Sequence, residues 1–118
     1  MSKYIPDIRQ GDTYRLKLEY QGTDLTGWRH WMTLRAEFDD ATPALATSSV
    51  AGDHPDDDPE EGIVYVEFTP TQTATVTPGT YRWDIQAKAT GGDIITILPP
   101  AERYLDTVKL VPQVTKDA

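Results

Sequence analysis

Hydrophobic and polar residues alternate with a period of two along much of this chain. In the strongest run, residues 78–89, Tyr81, Trp83, Ile85 and Ala87 alternate with polar side chains. Successive side chains of a strand point to opposite faces, so the run predicts a strand with one buried face and Trp83 at its centre. Shorter runs of the same kind predict further strands at 13–20, 29–39, 63–69, 94–98 and 103–111.

Turn residues separate these runs and leave room for one helical turn. Thr69 is a suitable N-cap for a turn that begins at Pro70. Segment 44–50 consists of small residues and predicts an edge strand. About seven short strands at regular spacing predict an all-β, antiparallel β-sandwich with no long helix. The expected organisation is an extended lead-in, a sandwich domain and a frayed tail, at residues 1–12, 13–112 and 113–118.

Composition narrows the classes of partner. The chain has 118 residues, enough for one domain with its own core. It has no cysteine, which excludes disulfides and thiolate metal sites. Nineteen acidic and eleven basic residues give a net charge of -8, which argues against nucleic acid because phosphate contacts need Lys and Arg. No apolar run is typical of a signal peptide or a membrane span, so we expect a protein made in the cytoplasm without a membrane partner.

An acidic segment, residues 53–61, is the first candidate site. Its six acids offer the oxygen ligands that Ca²⁺ prefers, although the spacing is not that of an EF-hand and two prolines limit the wrapping of an ion. A solvated surface loop is the favoured interpretation, with calcium or a basic docking partner as alternatives. The acids are Asp53, Asp56, Asp57, Asp58, Glu60 and Glu61.

No residue pattern indicates catalysis. His30 and His54 are the only histidines, and no third ligand accompanies either. No serine lies in a nucleophile-elbow motif, and Gly91-Gly92 lacks the strand-to-helix context of a phosphate loop. We therefore expect no enzyme activity, no metal and no cofactor.

Aromatic and apolar residues suggest where a partner could bind. Trp28 and Trp31 lie at the start of the second long run, and alternation points Trp31 away from the core. An outward tryptophan can mark a protein interface, a sugar-binding platform or a site covered by its own domain. Ile5 and Ile8 lack an evident role within the domain, so they are candidates for exchange between subunits.

The segment Pro78-Gly79-Thr80-Tyr81 resembles the corner between strands E and F of immunoglobulin-like sandwiches. In that corner a tyrosine hydroxyl binds back to the backbone. The resemblance implies this role for Tyr81 and places Trp83 where antibody domains have a cysteine. It implies an immunoglobulin-like fold without the disulfide.

The chain also resembles a family of small structural proteins of tailed bacteriophages, including the amino-terminal immunoglobulin-like domains of phage baseplate upper proteins. The segments that carry the resemblance are Ile8–Thr13, Asp24–Trp28 before Leu34-Arg35-Ala36, Pro78–Gln86, and Ile94–Pro99 before a valine-rich strand. Pro99-Pro100-Ala101 replaces the usual glycine, and the acidic loop is long for a hairpin. Either departure could be where a neighbouring subunit binds.

The resemblance implies a non-enzymatic virion protein of the tail, baseplate or fibre region. Such a protein would be made in the host cytoplasm, form a homo-oligomer and bind other virion proteins. A capsid decoration protein is the alternative, followed by a carbohydrate-binding module that would use Trp28 and Trp31.

Overall fold

A computed structural model describes residues 4–37, 42–101 and 104–113. Strands account for most of the regular structure in these ranges. The strands are β1 (Ile8–Arg9), β2 (Tyr14–Glu19), β3 (Arg29–Arg35), β4 (Leu45–Val50), β5 (Ile63–Phe68), β6 (Gly79–Lys88), β7 (Ile94–Leu98) and β8 (Thr107–Val111). A short 3₁₀ helix (Pro59–Glu61) precedes β5, and helix α1 (Pro70–Ala74) precedes β6.

Two sheets form the sandwich. The larger has the strand order β1-β8-β6-β3-β4, and β7 pairs with β6 on the side that β8 also uses. The smaller sheet is the antiparallel pair β2-β5. This confirms the predicted all-β sandwich without a long helix.

One strand pair departs from the prediction of a purely antiparallel sandwich. Strands β1 and β8 are parallel, with Ile8 opposite Leu110. Parallel strands need a long connection, and here nearly the whole domain lies between the two strands. The lead-in 1–12 is therefore partly incorporated into the large sheet.

The predicted faces of β6 are confirmed. Tyr81, Trp83, Ile85 and Ala87 are all buried, and they face the apolar side of the small sheet. The small sheet contributes its own alternate residues to the same core, namely Tyr14, Leu18, Val64, Val66 and Phe68. Period-two alternation therefore identified the buried faces of both sheets.

The corner before β6 forms as the resemblance implied. The Tyr81 hydroxyl donates a hydrogen bond to the backbone carbonyl of Thr77. At Trp83, the indole Nε1 donates to Asp106 Oδ2 at 2.8 Å. A buried indole N–H needs such an acceptor, because an unsatisfied donor in the core is costly.

Helix α1 begins where the sequence predicted and ties the start of the chain to the sandwich. Thr69 and Gln72 form a capping box at its amino terminus. Thr73 is fully buried; its hydroxyl donates to the carbonyl of Asp12 at 2.8 Å and accepts from the amide of Gly11 at 3.0 Å. The end of the lead-in is therefore fixed to the domain.

The lead-in isoleucines were predicted as exchange candidates, and the structure places both in their own core. Ile5 is 5% exposed and Ile8 is fully buried. The parallel pairing of β1 with β8 brings Ile8 beside Leu110, and this contact was not evident from sequence. Neither side chain is available as a surface contact in this fold.

Two strand boundaries were placed too widely. Strand β3 ends at Arg35, and Ala36, which falls in the predicted strand 29–39, lies beyond it and is exposed. Strand β8 begins at Thr107, so Tyr104, which falls in the predicted strand 103–111, lies before it and is 60% exposed. Phe38 and residues 114–118 of the predicted tail lie outside the described ranges.

Replacing Trp83 tests the assignment of the two faces of the large sheet. We expect Trp83→Ala to lower the free energy of unfolding by about 3–5 kcal/mol, because it leaves a cavity in the core. Trp31→Ala is the matched control, because Trp31 is on the outer face and only partly buried. Urea unfolding of both variants checks this, and equal losses would contradict the assignment.

Candidate interaction surface

Exposed apolar side chains concentrate in one segment of the chain. Among the described residues, five large hydrophobic side chains are exposed, and four of them lie between residues 94 and 105. These four are Ile94, Ile95, Tyr104 and Leu105. They belong to β7 and to the connection between β7 and β8, and we call the described residues 94–101 and 104–105 the apolar segment. Its residues 94–101 carry no charged side chain.

The apolar segment is anchored to β6 rather than loosely attached. Arg82 Nη1 donates to the carbonyl of Leu105 at 2.8 Å. The Trp83–Asp106 hydrogen bond follows directly in the chain. Pro99, at the other end of the connection, is buried. The connection that carries the exposed side chains is therefore held in place, which reduces the conformational entropy lost when a partner binds.

A cleft of about 530 Å³ lies beside the apolar segment, on the outer face of the large sheet. Thr33, Asp84 and Gln86 line it from the sheet, and Tyr104 lines it from the connection. Burial raises the pKa of the Asp84 carboxyl above its ordinary value, and the positive charge of Arg35 acts in the opposite direction. The cleft therefore offers a partner polar groups next to apolar ones.

The structure places the predicted contact residues Pro99 and Pro100 within this region. Pro99 is buried and lines the cleft, whereas Pro100 is partly exposed. Sequence reasoning did not single out Ile94 and Ile95. The sequence did contain a signal for them. Adjacent isoleucines in a strand point to opposite faces, so an edge strand that buries one face leaves one of the two exposed.

Trp28 is covered by its own domain. Its ring packs edge-on against Tyr20 with centroids 5.6 Å apart, and it stacks on His30 at 6.3 Å. The Tyr20 hydroxyl lies 2.8 Å from His30 Nε2. Trp28 was a predicted contact residue, and in the structure its ring is partly buried and packs against the core of its own domain.

Trp31 points away from the core, as alternation predicted. It is partly exposed and lines a shallow groove with Arg29, Val50 and Lys88. Because Trp28 packs against the core instead, the two indoles do not form a joint platform for a sugar.

The acidic loop uses its best-placed carboxylates to bind its own backbone. Asp57 accepts hydrogen bonds from the amides of Gly52 at 2.9 Å, His54 at 3.3 Å and Tyr65 at 2.8 Å. Asp53 Oδ2 accepts from the amide of Val50 at 2.9 Å. Within the described ranges no three His, Asp or Glu side chains converge to hold a metal ion. Asp53 and Asp57 therefore stabilise the backbone of the loop and of the strand beside it.

The remaining acids of the loop do not converge with these two. Asp56, Asp58, Glu60 and Glu61 are exposed to solvent. The loop histidine, His54, contacts Glu67 through Nε2 at 3.2 Å, and Glu67 in turn pairs with Arg15 at 2.9 Å.

Comparisons with protein-family models, curated proteins and solved structures give no match to this chain. In the described part of the chain, no helix has the length and apolar character needed to cross a membrane. Functional inference therefore depends on the geometry of the surface.

Removing the Asp57 carboxylate tests its structural role. We expect Asp57→Ala to destabilise the fold by about 2 kcal/mol, because three backbone amides lose a charged acceptor. Asp58→Ala is the matched control, since the Asp58 side chain makes no capping hydrogen bond. Denaturant unfolding compares the two, and equal stabilities would contradict this role.

The buried His30 makes stability depend on pH. Burial lowers the pKa of His30 below its ordinary value of 6.5. The unfolded chain therefore binds a proton first as the pH falls below 6.5, and stability should decrease from there toward the folded-state pKa.

Unfolding measured between pH 7.5 and 5 checks this dependence on His30. His30→Phe should reduce the loss of stability at low pH, whereas His54→Gln should leave the contribution of His30 in place. A His30→Phe variant with an unchanged pH profile would contradict the assignment.

Proposed function

We propose that this chain is a non-enzymatic structural protein of a tailed-phage virion that acts through protein–protein contacts in the tail, baseplate or fibre region. The observation that carries the proposal is the concentration of exposed apolar side chains on the anchored apolar segment. The position in the virion comes from the resemblance of the sequence to small phage structural proteins.

The chemistry of the apolar segment supports an assembly role. Exposed apolar surface is typical of sites where another protein binds, and Tyr104 and Leu105 are adjacent exposed apolar residues. Tyrosine is enriched among the residues that dominate binding energy, and Tyr104 is 60% exposed at the mouth of the cleft. Such a surface suits a partner that buries Tyr104 and Leu105 and binds the polar groups of the cleft beside them.

Charge favours assembly at this place over others. The chain carries a net charge of -8, so two acidic surfaces of neighbouring copies would repel each other. Because residues 94–101 are uncharged, contact there avoids most of this cost. The acidic loop, in contrast, is solvated and serves the fold.

The position in the particle can be measured directly. Antibodies against the purified chain should label the tail, baseplate or fibres in negative-stain images of particles produced by the genome that encodes it. Label on the capsid shell would instead favour the decoration alternative. Particles that lack the protein would contradict a virion role altogether.

The role of the apolar segment in assembly can be tested with one substitution. We expect Leu105→Asp to reduce incorporation into particles, because it introduces a charge into an apolar contact. Thr71→Asp, which adds the same charge at an exposed position on α1, should be incorporated normally. Circular dichroism confirms that both variants fold, and equal incorporation would contradict this use of the segment.

A further inference from the structure

We propose that the outer face of the large sheet is a docking surface for an acidic patch of a protein partner. The strands of this sheet contain six of the eleven Lys and Arg residues of the chain, and all six lie on the outer face. We call these six side chains the basic face: Arg9, Arg29, Arg35, Arg82, Lys88 and Lys109. The kind of partner, another protein, rests on the proposed function, whereas the surface and its charge do not.

Strand alternation and register bring the basic side chains together. Every second residue of β3 and β6 is buried, and the residues between them face outward. Strand pairing puts Arg29 opposite Lys88 and Arg35 opposite Arg82. None of the six basic residues is buried. The two central strands therefore present two positive pairs on the same side of the sheet.

The positive charge of this face contrasts with the acidity of the whole chain. In the described strands of the large sheet, Asp84 is the only Asp or Glu, and it lies opposite Thr33 between the two positive pairs. The chain as a whole carries a net charge of -8. At physiological ionic strength, charges are screened beyond about 8 Å, so a partner that contacts this face interacts with its local positive charge rather than with the net charge.

The two positive pairs favour a ligand that brings carboxylates. Like charges directly opposite each other in antiparallel strands are destabilising, so an acidic partner would relieve this repulsion. Arg29 Nη1 donates to the neutral hydroxyl of Ser48 at 3.3 Å. Arg35 Nη1 is buried and has no hydrogen-bond partner among the described residues. Because a guanidinium can form two parallel hydrogen bonds to a carboxylate, an Asp or Glu side chain suits these sites better than a neutral group does.

The other side chains of the surface favour a protein over another polyanion. Trp31 lies between the two positive pairs along β3 and is partly exposed. Tyr104 lines the cleft together with Arg35 and Arg82. Trp, Tyr and Arg are the residue types that dominate binding energy in protein interfaces. A nucleic acid or an acidic polysaccharide would also place negative charge against Asp84, whereas a protein can place its carboxylates at the two pairs alone.

The register of the strands determines how far a ligand must reach. Six residues of β3 separate the two pairs, which corresponds to about 20 Å along the strand. A decaglutamate peptide extends to about 33 Å and can contact both pairs, whereas triglutamate extends to about 10 Å and cannot. Contact at both pairs makes the second binding event intramolecular, so decaglutamate should bind more tightly than triglutamate.

Titration of the full chain with decaglutamate tests the surface, with the indole N–H signals followed by NMR at about 0.15 M salt. We expect a saturable shift of the Trp31 signal. The Trp28 signal should shift less, because that ring packs against Tyr20 and His30 on the core side of the sheet. Triglutamate should bind more weakly, and the neutral peptide decaglutamine should not bind. A Trp31 signal that does not respond to decaglutamate, or that responds equally to decaglutamine, would overturn the proposal.

Substitutions that change one charge locate the binding site. Arg29→Gln and Arg35→Gln should each weaken the binding of decaglutamate about threefold. Lys17→Gln is the matched control, because it removes the same charge from β2 in the small sheet, and it should leave binding nearly unchanged. Asp84→Asn should strengthen binding, because it removes the negative charge between the two pairs. Circular dichroism confirms that the variants fold. An equal loss of affinity in Lys17→Gln would show an effect of net charge alone and overturn the proposal.

Two further probes test the class of partner. Decathymidylate supplies phosphates, and a decamer of galacturonate supplies carboxylates on a polysaccharide. Both should bind more weakly than decaglutamate. Tighter binding of either one that depends on Arg29 and Arg35 would overturn the assignment of a protein partner.

These results are separable from the proposed function. A chain that binds decaglutamate through this face but is absent from particles would contradict the virion role and leave the docking surface intact. A chain that is incorporated into particles but whose Trp31 signal does not respond to decaglutamate would overturn the docking surface alone.

Discussion

The burial of Trp83 and its hydrogen bond to Asp106 connect the interior of this domain to its outer surface. The indole ring packs between the two sheets, while its N–H holds the end of the connection that carries Tyr104 and Leu105. Strand β6, which bears Trp83, also pairs with β3, β7 and β8. The position of the apolar segment therefore follows from the packing of one core side chain and the strand that carries it.

Several polar side chains in this fold form hydrogen bonds with backbone groups that strand pairing leaves without a partner. Asp57, Asp53 and Thr73 each bind main-chain atoms at the borders of elements. A buried or edge amide without an acceptor is costly, so these side chains both stabilise the domain and keep its edges from pairing.

The acidic loop and the surface proposed for assembly lie in different parts of the sequence. Loop 53–61 is rich in carboxylates, and in the structure two of them, Asp53 and Asp57, accept hydrogen bonds from nearby backbone amides. The surface proposed for assembly is the uncharged run 94–101 instead. Net negative charge then favours solubility of the single copy, and a neutral contact permits copies to meet in spite of it.

The sequence alone determined the strands and the faces that they bury, because side-chain alternation and the corner around Tyr81 are local properties of the chain. It also located the capped turn at Thr69, for the same reason. Only the tertiary structure decided that Ile8 is a core residue, because its neighbour Leu110 lies near the other end of the sequence, and that Trp28 packs against Tyr20 and His30. The partner of Trp83 is a further case, since Asp106 reaches the indole only when β8 lies against β6.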